Sequence, residues 1–321
     1  MFERHPAPIS RQIPEVSVSP GNVDSVFTLS VSSVEWQTVA LWSVIHGLFA
    51  ALTYWHAALP IWLLPLLGAP VVAWHASYQH EAIHGHPTRI AWLNTLLAGL
   101  PMMLWVPFGI YRDSHLKHHR NEYLTDPIED PESFYVTPDA WSRFSALRRM
   151  IYRAVNTLAG RLVLGPFFVA SLFLWREARD LARGKGRVKD WAFHAVGLAL
   201  LAVWITGVCG MPLWLYLLCF AYPGTGLLLL RSFAEHHAAP EADDRTAIVE
   251  AEAPLALLFL NNNLHVAHHA CPGVPWYALP RYEVLRRRLT GGREERIYRG
   301  YREIARRWLF RPKEHPAHPH S

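Results

Sequence analysis

Two stretches of the chain carry no formal charge. No Asp, Glu, Lys or Arg occurs between Glu35 and Glu81, and none between Asp190 and Arg231. Each gap is about twice the ~20 residues that a membrane helix needs. Each has a turn signal near its middle, Leu59-Pro60 in the first and Gly210-Met211-Pro212 in the second. The pattern predicts two helical hairpins and hence four spans, at 38–55, 61–78, 191–208 and 213–230. Trp36, Trp55, Trp62, Trp191 and Trp214 fall near the expected ends, as interfacial aromatics do. Segment 90–111 is also uncharged and long enough to cross. Segment 162–175 is too short, is preceded by Arg161, and is read as interfacial or half-inserted.

The basic residues orient these elements. Arg112, Lys117, Arg120, Arg143, Arg148, Arg149 and Arg153 lie between the hairpins. Arg176, Arg179, Arg183, Lys185, Arg187 and Lys189 precede the second, and Arg281, Arg286, Arg287 and Arg288 follow it. The hairpin turns carry none, so both termini are expected on the cytoplasmic side. The net charge of +5 fits this topology and contact with anionic lipid. No nucleic-acid motif is present. Residues 1–33 lack the apolar core of a signal peptide and read as a mobile tail. Residues 34–310 read as one membrane domain, and 311–321 as a second mobile tail with solvated His315, His318 and His320. Cys209, Cys219 and Cys271 form no C-x-x-C pair, so no disulfide framework or thiolate zinc site is suggested.

Of the chain's 19 histidines, eight fall in three boxes. QHEAIH holds His80 and His84, SHLKHH holds His115, His118 and His119, and LHVAHH holds His265, His268 and His269. Positions i, i+3 and i+4 share a helix face, so each box is expected to aim its imidazoles at one spot. Such crowding is unfavourable unless the rings are tied up, and imidazole is a common metal ligand. A shared site requires all boxes on one side of the membrane. Segment 90–111 must then re-enter or lie flat, breaking near Gly99-Leu100-Pro101. His46, His56, His75 and His194 are single and read as hydrogen-bonded packing residues, and His86 as a turn residue.

H-x-x-x-H, H-x-x-H-H and H-x-x-H-H, in that order around membrane hairpins, resemble the membrane fatty acid desaturase and hydroxylase superfamily. RSFAEHHA, NNNLHVAHHACPGVPWY and TDPIEDPES strengthen the likeness to bacterial acyl-chain desaturase-like members. The resemblance implies an all-α integral membrane fold of about four helices, with a cytosolic helical cap carrying the boxes. It implies two non-haem irons on the eight box histidines, and O₂ as co-substrate. A ninth ligand is expected at His236 or His237; the Glu-His order of RSFAEH favours His236, while neighbours on a helix point about 100° apart and do not themselves decide. Glu81, Asp113, Asp126, Asp130, Glu235 and Asn262 are candidates to orient the rings; Asn261 to Asn263 could equally cap the last box's helix. The implied reaction is oxidation of an unactivated C–H bond in a lipid acyl chain, desaturation first, with hydroxylation of a lipid, alkane or carotenoid as the alternative. The implied place is a bacterial inner membrane, with the metal site cytoplasmic.

No fused electron-carrier motif is visible, so electrons are expected from a separate, ferredoxin-like donor, steered by the basic face. His80-Glu81-x-x-His84 also matches the H-E-x-x-H zinc metalloprotease signature, a reading that leaves six box histidines unexplained. A metal carrier is disfavoured because the boxes lie outside the spans. An acyl chain needs a narrow apolar tunnel, with Trp74, Trp105 and Phe233 as candidates to close its end.

Overall fold

The computed structural model describes residues 34–251, 253–291 and 296–319, and it is mostly helical. The expected N-terminal tail lies outside the described residues. Helices α1 (Trp36–Tyr54) and α2 (Leu63–Ile83) occupy the first charge-free stretch. The second holds α9 (Val188–Ala202), continued by a π-turn to Val208, and α10 (Leu213–Tyr216), which runs through a π-turn (Leu217–Ala221) into α11 (Tyr222–Glu235). Val188–Val208 and Leu213–Glu235 are long and apolar enough to cross a membrane. The helices α1 and α2 are of similar length but are diluted by Trp, His, Gln and Pro. Apolar side chains remain uncovered on this half of the molecule: Leu48 and Leu66 on the first pair, Val196, Leu200, Val203 and Leu218 on the second.

Glycines let α2 and the last long helix touch. A Cβ on Gly224 would lie 2.6 Å from Val72, and one on Gly68 would lie 2.6 Å from the Phe220 ring. This packing brings the end of α2, with the first histidine box, beside the end of α11, which precedes His236. Between α2 and the next box the chain forms only a short α3 (Ala91–Ala98) before breaking at Gly99. Eight residues rise about 12 Å, well short of the ~30 Å hydrocarbon core, so segment 90–111 does not cross as one helix. After the break α4 (Phe108–His118) carries the middle box.

Then come α5 (Pro138–Ser142), α6 (Ala146–Val155), α7 (Leu158–Val163) and α8 (Gly165–Ala182). The helix α8 leaves Phe167, Leu174 and Trp175 exposed. The cap is completed by α12 (Ala253–Leu258), α13 (His265–Ala270), α14 (Leu279–Leu289) and α15 (Tyr301–Trp308). A small parallel pair joins β1 (Ala247–Val249) to β2 (Arg296–Tyr298). Strand β1 is a buried spine. Thr246 bridges to His236, Ile248 bridges to Leu264, and Val249 N–H donates to Asn263 O at 2.8 Å. One short strand thus sets both His236 and the start of the last box.

The C-terminal segment corrects an expectation. Residues 311–319 are not a tail. Lys313 N–H donates to Asn156 O, and His318 N–H to Val136 O. His318 is buried, with Nε2 3.2 Å from Thr125 Oγ1, whereas His315 is exposed. His320 lies outside the described residues.

Candidate metal centre

The nine candidate histidines converge, but not box by box. One group joins His80, His84, His115, His119 and His268; a second joins His118, His236, His265 and His269. Within each group the facing ring atoms all lie within 4.8 Å of one another. The expectation that each H-x-x-H-H aims at one spot is therefore corrected. In both boxes positions i and i+4 go to one group and i+3 goes to the other. The middle box gives two rings to the first group and one to the second; the last box does the reverse. The i+3 position lies about 300° round the helix and i+4 about 400°. That offset is small enough to keep the rings neighbours and large enough to split them between two points.

Helix ends place the rings. The box residues at the ends of α2 and α4, His84 and His119, are the C-caps of their helices. His236 leaves α11 in extended backbone, φ −117° and ψ 144°. Its neighbour His237 turns the other way: Nδ1 donates to Glu314 Oε1 at 2.7 Å, and Nε2 lies 3.1 Å from Tyr298 OH.

The nitrogens inside each group fit a cation. Nε2 of His84, His119 and His268 make a chain of contacts through His115, at 3.2, 3.0 and 3.1 Å. His236 Nε2 lies 3.2 Å from His118 Nε2 and 3.0 Å from His265 Nε2. Two nitrogens about 2.1 Å from one ion, at right angles, would be about 3.0 Å apart. Three of the opposite ring atoms are spoken for. His118 Nδ1 donates to Asp130 at 2.9 Å. His115 Nδ1 donates to Glu132 at 3.1 Å, and His265 Nδ1 donates to Asn262 Oδ1 at 3.2 Å with Glu235 at 3.4 Å. Nδ1–H donation leaves Nε2 as a bare lone pair. Lone pairs facing one another at 3 Å repel unless a cation lies between them.

Protonation agrees. Burial first, and neighbouring imidazoles second, hold His265, His268 and His269 well below the ordinary imidazole value. The same causes bring His119 to about 2. Such rings are neutral, as a ligand must be. For His118 burial pulls downward, but the Glu132 and Asp130 carboxylates outweigh it and raise the ring. There a metal must displace a proton, and Asp130 makes the ring a stronger donor once it has.

Among the residues expected to orient rings, Asp130 and Asn262 do so, while Glu235 lies 3.4 Å from His265 Nδ1 without completing a hydrogen bond. Glu81 instead accepts Trp276 N–H at 3.0 Å, so it is not a base poised between His80 and His84. Asp113 pairs with Arg112 and Arg187, and Asp126 accepts Ile128 N–H and Glu129 N–H in its own turn. The Asn run does not cap α13, whose N-cap is Leu264. Asn261 and Asn263 hold Trp276 O and Val249 O, while Asn262 reaches His265. Glu132 was missed, although it belongs to the TDPIEDPES run. The single histidines split: His46, His56 and His194 bond to carbonyls, whereas neither ring nitrogen of His75 has a partner among the described residues. His86 sits in a turn but is buried against Glu35.

Beside the groups lies a cavity of about 210 Å³, lined by Trp105, Ile110, Phe168, Leu172, Phe173 and, toward the histidines, Glu132 and Arg231. Trp105 is one of the expected tunnel residues. Phe233 faces a polar cavity of about 30 Å³ beside His236, and Trp74 packs against the helical core. The contribution of α8 to the wall had no sequence signal beyond its apolar run.

Two comparisons place the chain among known proteins. The sn-1 oleoyl-lipid 12-desaturase of Picosynechococcus sp. is 26% identical over 313 residues, covering 87% of this chain and 82% of its own. The fatty acid desaturase family model matches residues 53–299. That match spans all three histidine boxes and most of the chain, and the protein is therefore an oxidoreductase belonging to the fatty acid desaturase family.

Proposed function

We propose that the chain is an integral-membrane acyl-lipid desaturase working through two non-haem irons. One observation carries the reading: two adjacent groups of imidazoles, five and four strong, lie beside a largely apolar cavity. His80, His84, His115, His119 and His268 would hold one iron, and His118, His236, His265 and His269 the other. Iron with O₂ supplies the oxidant that an unactivated C–H bond requires, which no side chain provides.

The chain's own residues supply geometry. Asp130, Glu132 and Asn262 fix the tautomer and angle of the rings they touch, and the Glu235 carboxylate lies beside His265. Trp105, Phe168, Leu172 and Phe173 exclude water and confine a hydrocarbon chain. The relative's lipid-linked oleoyl substrate supports an acyl chain on a lipid as the substrate class, and its desaturase activity supports desaturation over hydroxylation. The four long helices form two hairpins across the membrane, with the histidines on the cytoplasmic side. A separate protein delivers electrons there.

Mass spectrometry of lipids from cells with and without the chain tests this. The expected result is a new acyl species two hydrogens lighter than its precursor. A species heavier by one oxygen would replace desaturation with hydroxylation, and an unchanged lipid profile with a competent donor present would reject both. Reporter fusions test the topology: those near Leu59 and Met211 should report outside, and one after Arg120 inside.

A further inference from the structure

The cavity beside the histidines is not apolar throughout. Arg231 lines it and is only 6% exposed. Its Nε lies 3.2 Å from Glu235 Oε2, yet neither Nε nor Nη1 completes a hydrogen bond among the described residues. Both Glu235 oxygens likewise lack an aligned partner. A guanidinium serving only as counter-ion would be expected to form the parallel two-bond pair that Arg and carboxylate favour. Here the guanidinium has a hydrogen bond with Tyr111, but two of its nitrogens are left without an aligned partner in a side chain that lines the cavity. Glu132, Tyr111 and Tyr301 are its other electrostatic neighbours.

Burying open donors is unfavourable. A plain alkyl chain laid against Arg231 would strip its remaining water and return no hydrogen bond. A carbonyl or carboxylate oxygen would return one or two, charge-assisted. We infer that Arg231 anchors the oxygen-bearing end of a long-chain acyl ligand, whose hydrocarbon lies along Trp105, Phe168, Leu172 and Phe173. The inference rests on the acyl-lipid reading of the site. It adds that the oxidised position is counted from the carbonyl end, so lengthening the methyl end leaves it unchanged.

The test uses the full-length, iron-loaded protein in detergent. Octadecanoic acid, methyl octadecanoate and octadecane compete with a bound fluorescent fatty acid. The expected result is that acid, ester or both displace the probe about tenfold better than octadecane, a difference of about 1.4 kcal/mol. Preference for the acid identifies a free carboxylate as the anchor group; equal displacement by the ester identifies the carbonyl. Arg231→Met should abolish the gap. Arg231→Gln, which keeps donors but no charge, should keep the ester's advantage and lose any extra advantage of the acid. Octadecane competing as well as both oxygenated ligands in the unaltered protein overturns the inference, as does an undiminished gap in Arg231→Met. The ligand series on the unaltered protein decides even if a variant does not fold. Because binding is read without turnover, failure here differs from failure of the desaturase reading, which would show as absent product.

Discussion

The two histidine groups are held in different ways. The first has five rings, drawn from α2, α4 and α13, and one carboxylate support, Glu132 on His115, whose side chain is 31% exposed. The second has four rings and buried supports. Asp130 and Glu235 have side chains 1% exposed, and Asn262 shares His265 with Glu235. One of its rings, His236, sits on extended backbone that no helix positions. Its carbonyl instead accepts from the Lys313 ammonium, which also donates to Phe233 O at 2.6 Å near the end of α11. Helix ends supply most of the first group; contacts distant in sequence supply much of the second. Where fewer rings are available, the surrounding groups are more buried and more numerous.

Substitutions in the two groups should differ in their effects as the supports differ. The largest effect should come from the rings themselves. His268→Ala should empty the first group and His265→Ala the second, each abolishing activity, as read by metal analysis and product formation. Next is Asp130→Asn, which leaves His118 without its carboxylate. A loss of about 10–100-fold in metal affinity or activity is expected, confined to the second group. Glu132→Gln removes an exposed and better-screened carboxylate, so its effect on the first group should be smaller. Equal effects of the two substitutions would show that burial of the support does not matter.

A smaller effect is expected from the C-terminal segment. Burial pushes Glu314 up, but its hydrogen bond from His237 and the nearby Lys313 outweigh this and hold it at about 2. A carboxyl held below its ordinary value stabilises docking above pH ~4.5, and that contribution is lost as pH falls toward 2. Protease cleavage within 311–319 should therefore rise over this window. In Glu314→Gln it should already be faster at neutral pH, with a modest loss of metal from the second group only. The smallest effect is that of His315→Ala, which should leave activity unchanged, since the exposed ring abuts Trp141 at 5.2 Å and otherwise accepts Ala317 N–H at 3.1 Å within its own segment.

Much of this was legible in the sequence because charge and spacing are local. The four long helices follow from two charge-free stretches, and the nine histidines from box spacing and the RSFAEH likeness. What stayed hidden depends on distant contacts. Helical periodicity says that His115, His118 and His119 are neighbours, but not that His118 belongs with His236. Nothing local tells Asn262, which reaches a ring, from Asn263, which holds a strand. Residues 311–319 read as a tail because Pro and His dominate them; their docking rests on Lys313 and Glu314 meeting partners about 80 to 180 residues away. Glu132 was within reach, since it shares a short run with Asp130.

The central claim is that nine histidines form two metal sites rather than one. Mössbauer spectroscopy with metal analysis, on protein reconstituted with isotopically enriched iron, tests it most directly. Two irons per chain in distinguishable nitrogen-rich environments are expected, with His268→Ala and His265→Ala each removing a different component. One iron per chain, a single zinc, or the same component lost in both variants would contradict it.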